Sequence, residues 1–65
     1  MGDDEDPLPR AIGAPATRAL TAAGYTRLGQ LAGVPRSDLA ALHGVGPRAL
    51  RILQEELEAR GASLG

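Results

Sequence analysis

The sequence predicts an all-α protein, a compact bundle of four to five short helices. Aromatic residues make up 2% of the chain, and no stretch alternates strictly between apolar and polar residues as a half-buried strand does. Leucine and alanine instead recur at helical spacing. Glycine and proline interrupt these apolar patterns at short intervals, which divides the chain into brief helices joined by tight turns.

The first two helices are bounded by proline, threonine and glycine. We expect the first helix to begin at Pro15, because proline needs no amide donor at the first helical position, and to stop at Gly24. Its inward face consists of Ala16, Ala19, Leu20 and Ala23. Thr26 is expected to cap a second helix over residues 27–32, which Gly33 ends. The inward residues of that helix are Leu28, Leu31 and Ala32.

Two further helices complete the predicted bundle. Pro35 opens a short third helix, whose inward residues are Leu39 and Leu42. The fourth helix, residues 47–60, is the longest. Its apolar stripe consists of Ala49, Leu50, Ile52, Leu53 and Leu57. Gly61 ends it, and Leu64 is expected to fold back onto the bundle.

Length and composition exclude several classes of protein. The 65 residues form one domain at most, with little room for an enclosed catalytic pocket. The chain has no cysteine, and His43 is its only histidine, so a metal site is not expected. No apolar run approaches the ~20 residues of a membrane span, and the acidic N-terminus is unlike a secretory signal. We expect a cytoplasmic, soluble monomer that binds no cofactor and no membrane.

Charge divides the chain into two parts. Residues 1–10 contain four acids and two prolines, and we expect a disordered acidic tail there, which favours a small independent protein. Residues 11–65 contain six arginines and four acids, and they form the predicted helical domain. Every basic residue is arginine, which suits phosphate binding but also fits the codon usage of a GC-rich genome.

The segment LHGVGPRAL, residues 42–50, predicts a tight joint between the third and fourth helices. Its two glycines allow a sharp turn and leave no side chain in the way of an approaching anion, and the valine between them is expected to insert into the core. The helix that follows begins with unpaired amides and a partial positive charge, which a phosphate satisfies. The residues expected to contact a phosphate here are Gly44, Val45, Gly46, Arg48 and Arg51.

The same segment also fits a tight interhelical turn that serves packing alone and binds no ligand.

The pattern of residues 42–50, apolar-x-Gly-apolar-Gly-x-x-Ala, resembles the helix-hairpin-helix motif of non-specific DNA-binding proteins. From Ile12 onward the chain also resembles the C-terminal domain of the bacterial RNA polymerase alpha subunit. The matching stretches are residues 20–25, 28–31 (LGQL), 38–39, 46–50 (GPRAL) and 57–65 (LEARGASLG).

This resemblance implies a SAM-like helical domain that binds A·T-rich promoter DNA in the minor groove and contacts transcription activators. The main minor-groove contact of that family is a basic residue at the start of its first helix, where this chain has Pro15. Arg18 occupies the polar DNA-contacting position one turn later. Gly46 and Arg48 match the hairpin contacts, whereas Ala49 stands where a small hydroxyl residue usually donates to a phosphate.

No catalytic arrangement of side chains is present in the sequence, so we do not expect an enzyme. Two binding functions remain open. The first is a DNA-binding module that contacts the backbone or minor groove of double-stranded DNA with low sequence specificity. The second is a protein-interaction module of the same fold, which docks on the transcription machinery without binding DNA.

Overall fold

The computed structural model describes residues 7–65, which form three α-helices and two short 3-10 helices and contain no strand. In chain order the elements are a 3-10 helix at Arg10–Ile12, α1 at Ala14–Ala22, a second 3-10 helix at Leu28–Leu31, α2 at Arg36–Ala40 and α3 at Pro47–Ala59. The predicted all-α class is confirmed for this part of the chain.

The core is built mainly from leucine. Helix α3 packs against α2 and both 3-10 helices, and α1 packs against the first 3-10 helix. Six leucines are less than 2% exposed, namely Leu20, Leu28, Leu31, Leu39, Leu53 and Leu57. The radius of gyration is 10.6 Å, close to the ~11 Å expected of a compact domain of this length.

Helix α1 begins one residue earlier than predicted, at Ala14, so Pro15 is its second residue. Gly13 precedes the helix with a φ of 90°, and its carbonyl oxygen accepts hydrogen bonds from the Thr17 amide at 3.1 Å and the Thr17 hydroxyl at 2.9 Å. Proline also suits the second helical position, because the first amides of a helix have no partner within it.

The expected second helix is instead a 3-10 helix of four residues, Leu28–Leu31. Thr26 does not cap it with its side chain. The Gln30 side-chain oxygen Oε1 accepts hydrogen bonds from the Thr26 amide at 2.7 Å and the Arg27 amide at 2.9 Å. Gly29 lowers the helix propensity of this short segment. The prediction of an α-helix is therefore wrong here, although both leucines are buried as expected.

Helices α1 and α3 end in the same glycine motif, as the sequence predicts. After α1, Tyr25 donates its amide to the Leu20 carbonyl at 2.8 Å while Gly24 adopts a φ of 100°. After α3, the Ala62 amide donates to the Leu57 carbonyl at 2.8 Å. These are Schellman hydrogen bonds, which satisfy carbonyls that the last helical turn leaves unpaired.

The last residues return to the bundle, which confirms the expectation for Leu64. Its side chain is buried, and its amide donates to Oε1 of Gln54 at 3.0 Å. The Gly33 amide donates to the Ser63 carbonyl at 2.9 Å, and the Gly65 amide donates to the Val34 carbonyl at 2.8 Å. The C-terminal segment therefore closes the side of the core between the second 3-10 helix and α2.

The N-terminal tail was expected to extend through Arg10. Its acids, residues 3–6, lie outside the described residues. Leu8 packs against the core, and Pro7 forms an isolated antiparallel bridge with Arg27. Contacts of the helical domain therefore begin at Pro7, three residues before the expected tail ends.

Candidate nucleic-acid interface

The turn between α2 and α3 is built around a buried valine. The Leu42 amide donates to the Leu39 carbonyl at 3.0 Å, and the Val45 amide donates to the Leu42 carbonyl at 3.2 Å. Val45 is only 6% exposed, so it inserts into the core as predicted. Val45 can therefore contact a ligand only through its backbone.

Gly44 brings this turn against the first turn of α1. Its φ is 102°, a left-handed conformation that favours glycine. A Cβ atom at Gly44 would lie 2.9 Å from the carbonyl oxygen of Pro15 and 3.2 Å from its carbonyl carbon. The backbones of residues 44 and 15 therefore approach more closely than any side chain at position 44 permits, and the α2–α3 turn adjoins the start of α1.

The N-terminus of α3 has no side-chain cap. Gly46 precedes the helix, Pro47 is its first residue, and the first intrahelical bond runs from the Leu50 amide to the Gly46 carbonyl at 3.0 Å. The amides of Arg48 and Ala49 thus have no partner within the helix. Nothing lies within 4 Å of the position that a Cβ would take at Gly46, so the approach to this end of the helix is open.

Three exposed arginines surround this region. Arg48 and Arg51 lie in the first two turns of α3, and Arg18 lies one turn after Pro15 on α1. Within the part of the chain that the structure describes, none of the three makes an ion pair or a side-chain hydrogen bond. Their guanidinium groups are available to an anionic ligand.

The acids of α3 lie in its second half. These residues are Glu55, Glu56 and Glu58. The Glu56 carboxylate pairs with the Arg60 guanidinium at 3.1 Å, and the Glu58 carboxylate accepts a hydrogen bond from the Gln54 side chain at 2.7 Å. Positive charge therefore gathers at the start of α3 and negative charge towards its end.

A surface groove of about 360 Å³ runs along α3 beside the start of α2. Its lining residues are Arg36, Pro47, Leu50, Arg51, Gln54 and Glu55. The fold brings Arg36, the first residue of α2, to the same groove as Arg51. This proximity could not be read from the sequence, because the two residues lie on different helices.

Two positions in which the chain departs from the resemblance differ in exposure. Pro15 is exposed at the start of α1, whereas Ala49 is only 5% exposed and faces the core. At Ala49 a phosphate contact is therefore limited to the backbone amide, and Pro15, which has no amide hydrogen, leaves such contacts to neighbouring residues.

No protein-family model matches the chain, and neither a curated protein nor a solved structure matches it. Residues 7–65 include no helix long and apolar enough to cross a membrane. They also include no group of three or more histidine or acidic side chains able to hold a metal ion.

Proposed function

We propose that this chain is a small helix-hairpin-helix module that binds double-stranded DNA. In this proposal α2, the 41–46 turn and α3 form the hairpin, and α1 supplies the adjoining part of the contact surface. The contacted groups are phosphates of the backbone or the edge of the minor groove. Sequence specificity is low, because phosphate contacts position a protein on DNA without reading its bases.

The charge distribution along α3 is the observation that carries the proposal. A helix is stabilised by acids near its N-terminus and by bases near its C-terminus, each contributing about 0.3–1 kcal/mol. Helix α3 has no acid in its first turn and no base in its last turn. Arg48 lies instead beside the unpaired amides, where its charge opposes the helix dipole. Helix stability does not account for this placement, whereas binding of a phosphate does.

The surroundings of α3 support the same function. Arg18 projects from α1, whose first turn adjoins the hairpin through the close approach of Gly44 and Pro15. The folded residues 11–65 carry more arginines than acids, as expected of a surface that attracts a polyanion. The sequence pattern of the hairpin and the resemblance to the alpha-subunit domain point to DNA as that polyanion.

Salt-dependent DNA titration of two matched variants tests this proposal. We expect Arg48→Ala to weaken binding and to reduce the slope of log K against log salt by about one unit, because one phosphate contact is lost. Arg60→Ala removes the same charge at the far end of α3, roughly 18 Å away along the helix axis. It should leave the slope unchanged. Equal slopes for both variants would remove Arg48 from the interface.

The groove beside α3 favours a second candidate function, docking of a protein of the transcription machinery. Pro47 and Leu50 provide an apolar surface there, and Arg36 and Arg51 provide charge. A chain with this function would keep the fold and show no salt-dependent binding to duplex DNA at low ionic strength.

A further inference from the structure

Gly44 combines two properties that no other described glycine combines. Five glycines in residues 7–65 have a positive φ, so a left-handed backbone is common in this domain. Among these five, only Gly44 would bring an added Cβ within 3.0 Å of another backbone atom, the Pro15 carbonyl oxygen at 2.9 Å. The Cα hydrogen that a side chain would replace therefore points at that oxygen.

Gly24 has the first of these properties, the positive φ, without the second, the close approach to another backbone. Its φ of 100° is almost the same as the 102° of Gly44, yet nothing lies within 4 Å of the Cβ that it would carry. Alanine at either position meets the same backbone strain, about 1 kcal/mol or more for a left-handed conformation. Only at position 44 does alanine also push two segments apart.

The segments that meet at Gly44 carry the arginines of the proposed interface. Arg18 follows Pro15 by one helical turn and lies on the same side of α1, since residues three apart are neighbours on a helix surface. Arg48 lies four residues after Gly44, at the start of α3. The contact between the backbones at Gly44 and Pro15 therefore links the backbone segments of two arginines that are 30 residues apart in the chain.

We propose that Gly44 is a positioning residue. Its contact with the Pro15 carbonyl holds α1 against the hairpin, so that Arg18, Arg48 and Arg51 can bind the same DNA duplex. This inference rests on the proposed DNA-binding function. It adds that α1 and the hairpin act as one rigid surface, and that no L-amino acid with a side chain can replace glycine at this point.

The test compares Gly44→Ala with Gly24→Ala at a temperature where both variants are folded. Gly44→Ala should melt at least about 4 °C below Gly24→Ala, because it adds a steric clash to the same φ strain. Its affinity for duplex DNA should fall about tenfold, with a log K–log salt slope smaller by about one unit, because the contact from Arg18 is lost. Gly24→Ala should bind as the unaltered chain does.

A second substitution shows whether the loss arises at Arg18. In the unaltered chain, Arg18→Ala should reduce the salt slope by about one unit. In the Gly44→Ala background, Arg18→Ala should cause no further change in the salt slope. A full effect of Arg18→Ala in that background would overturn the proposal, as would equal DNA affinities of Gly44→Ala and Gly24→Ala. If the unaltered chain itself does not bind DNA, the proposed function fails and this inference fails with it.

Chemical synthesis supplies a variant for the case in which Gly44→Ala does not fold. Gly44→D-Ala keeps the positive φ and replaces the other Cα hydrogen, so its methyl group points away from Pro15. The positioning account predicts DNA affinity and a salt slope close to those of the unaltered chain. Loss of binding by the folded D-alanine variant would contradict it.

Discussion

Gln30 determines how the chain continues after α1. Its side-chain oxygen accepts hydrogen bonds from the amides of two residues that precede the 3-10 helix, at 2.7 and 2.9 Å. A side chain that reaches back in this way takes the place of the threonine cap that the sequence suggested.

We expect Gln30→Ala to lower the free energy of unfolding by about 1 kcal/mol, the usual effect of losing a capping side chain. Gln30→Glu should preserve it, because a carboxylate accepts the same two bonds. Urea unfolding measures both. Thr26→Ala is the matched control, since the Thr26 hydroxyl makes only a 3.3 Å hydrogen bond with Gln30. A loss in Gln30→Ala no larger than in this control would show that the cap contributes nothing.

At the scale of the element, the arginines at the start of α3 and the glutamates near its end oppose the helix dipole, and Arg60 at the C-cap is the exception. This arrangement predicts that stability and DNA binding respond to Arg48 in opposite directions. Arg48→Glu places an acid beside the unpaired amides and should raise the free energy of unfolding by about 0.3–1 kcal/mol. The same change should weaken DNA binding by at least about tenfold, because it replaces an attractive charge with a repulsive one.

Thermal melting and a low-salt DNA titration measure the two effects on one preparation. A fall in both stability and DNA affinity would mean that Arg48 supports the fold through packing. A rise in stability with unchanged DNA affinity would place the DNA elsewhere on the molecule.

The sequence predicts helices α1 and α3 to within about one residue at each end, the usual uncertainty of helix boundaries. Proline occupies the first or second position of these helices and glycine follows their last turn, and both signals act locally. The 3-10 form of the second helix could not be predicted in this way, because it depends on the hydrogen bonds that the Gln30 side chain makes with the two preceding amides. The contact between Gly44 and Pro15 also has no local signal, since it joins residues 29 positions apart.

At the scale of the whole molecule, the core is one small cluster of mainly leucine side chains. The chain has too few residues to build both a thick core and a deep pocket. A chain of this size can present a surface of arginines and unpaired helix amides, and such a surface suits an extended polyanion better than a small substrate. The described residues that carry this surface come from both ends of the fold, α1 and α3.

The central claim is that the start of α3, together with the first turns of α1, binds duplex DNA. Titration of the ¹⁵N-labelled protein with A·T-rich and G·C-rich duplexes at low salt tests it most directly. We predict amide shift changes confined to residues 14–18 and 44–51, of similar size for both duplexes, which fade as salt is raised. The absence of shift changes at residues 44–51 with either duplex at low salt would contradict the claim.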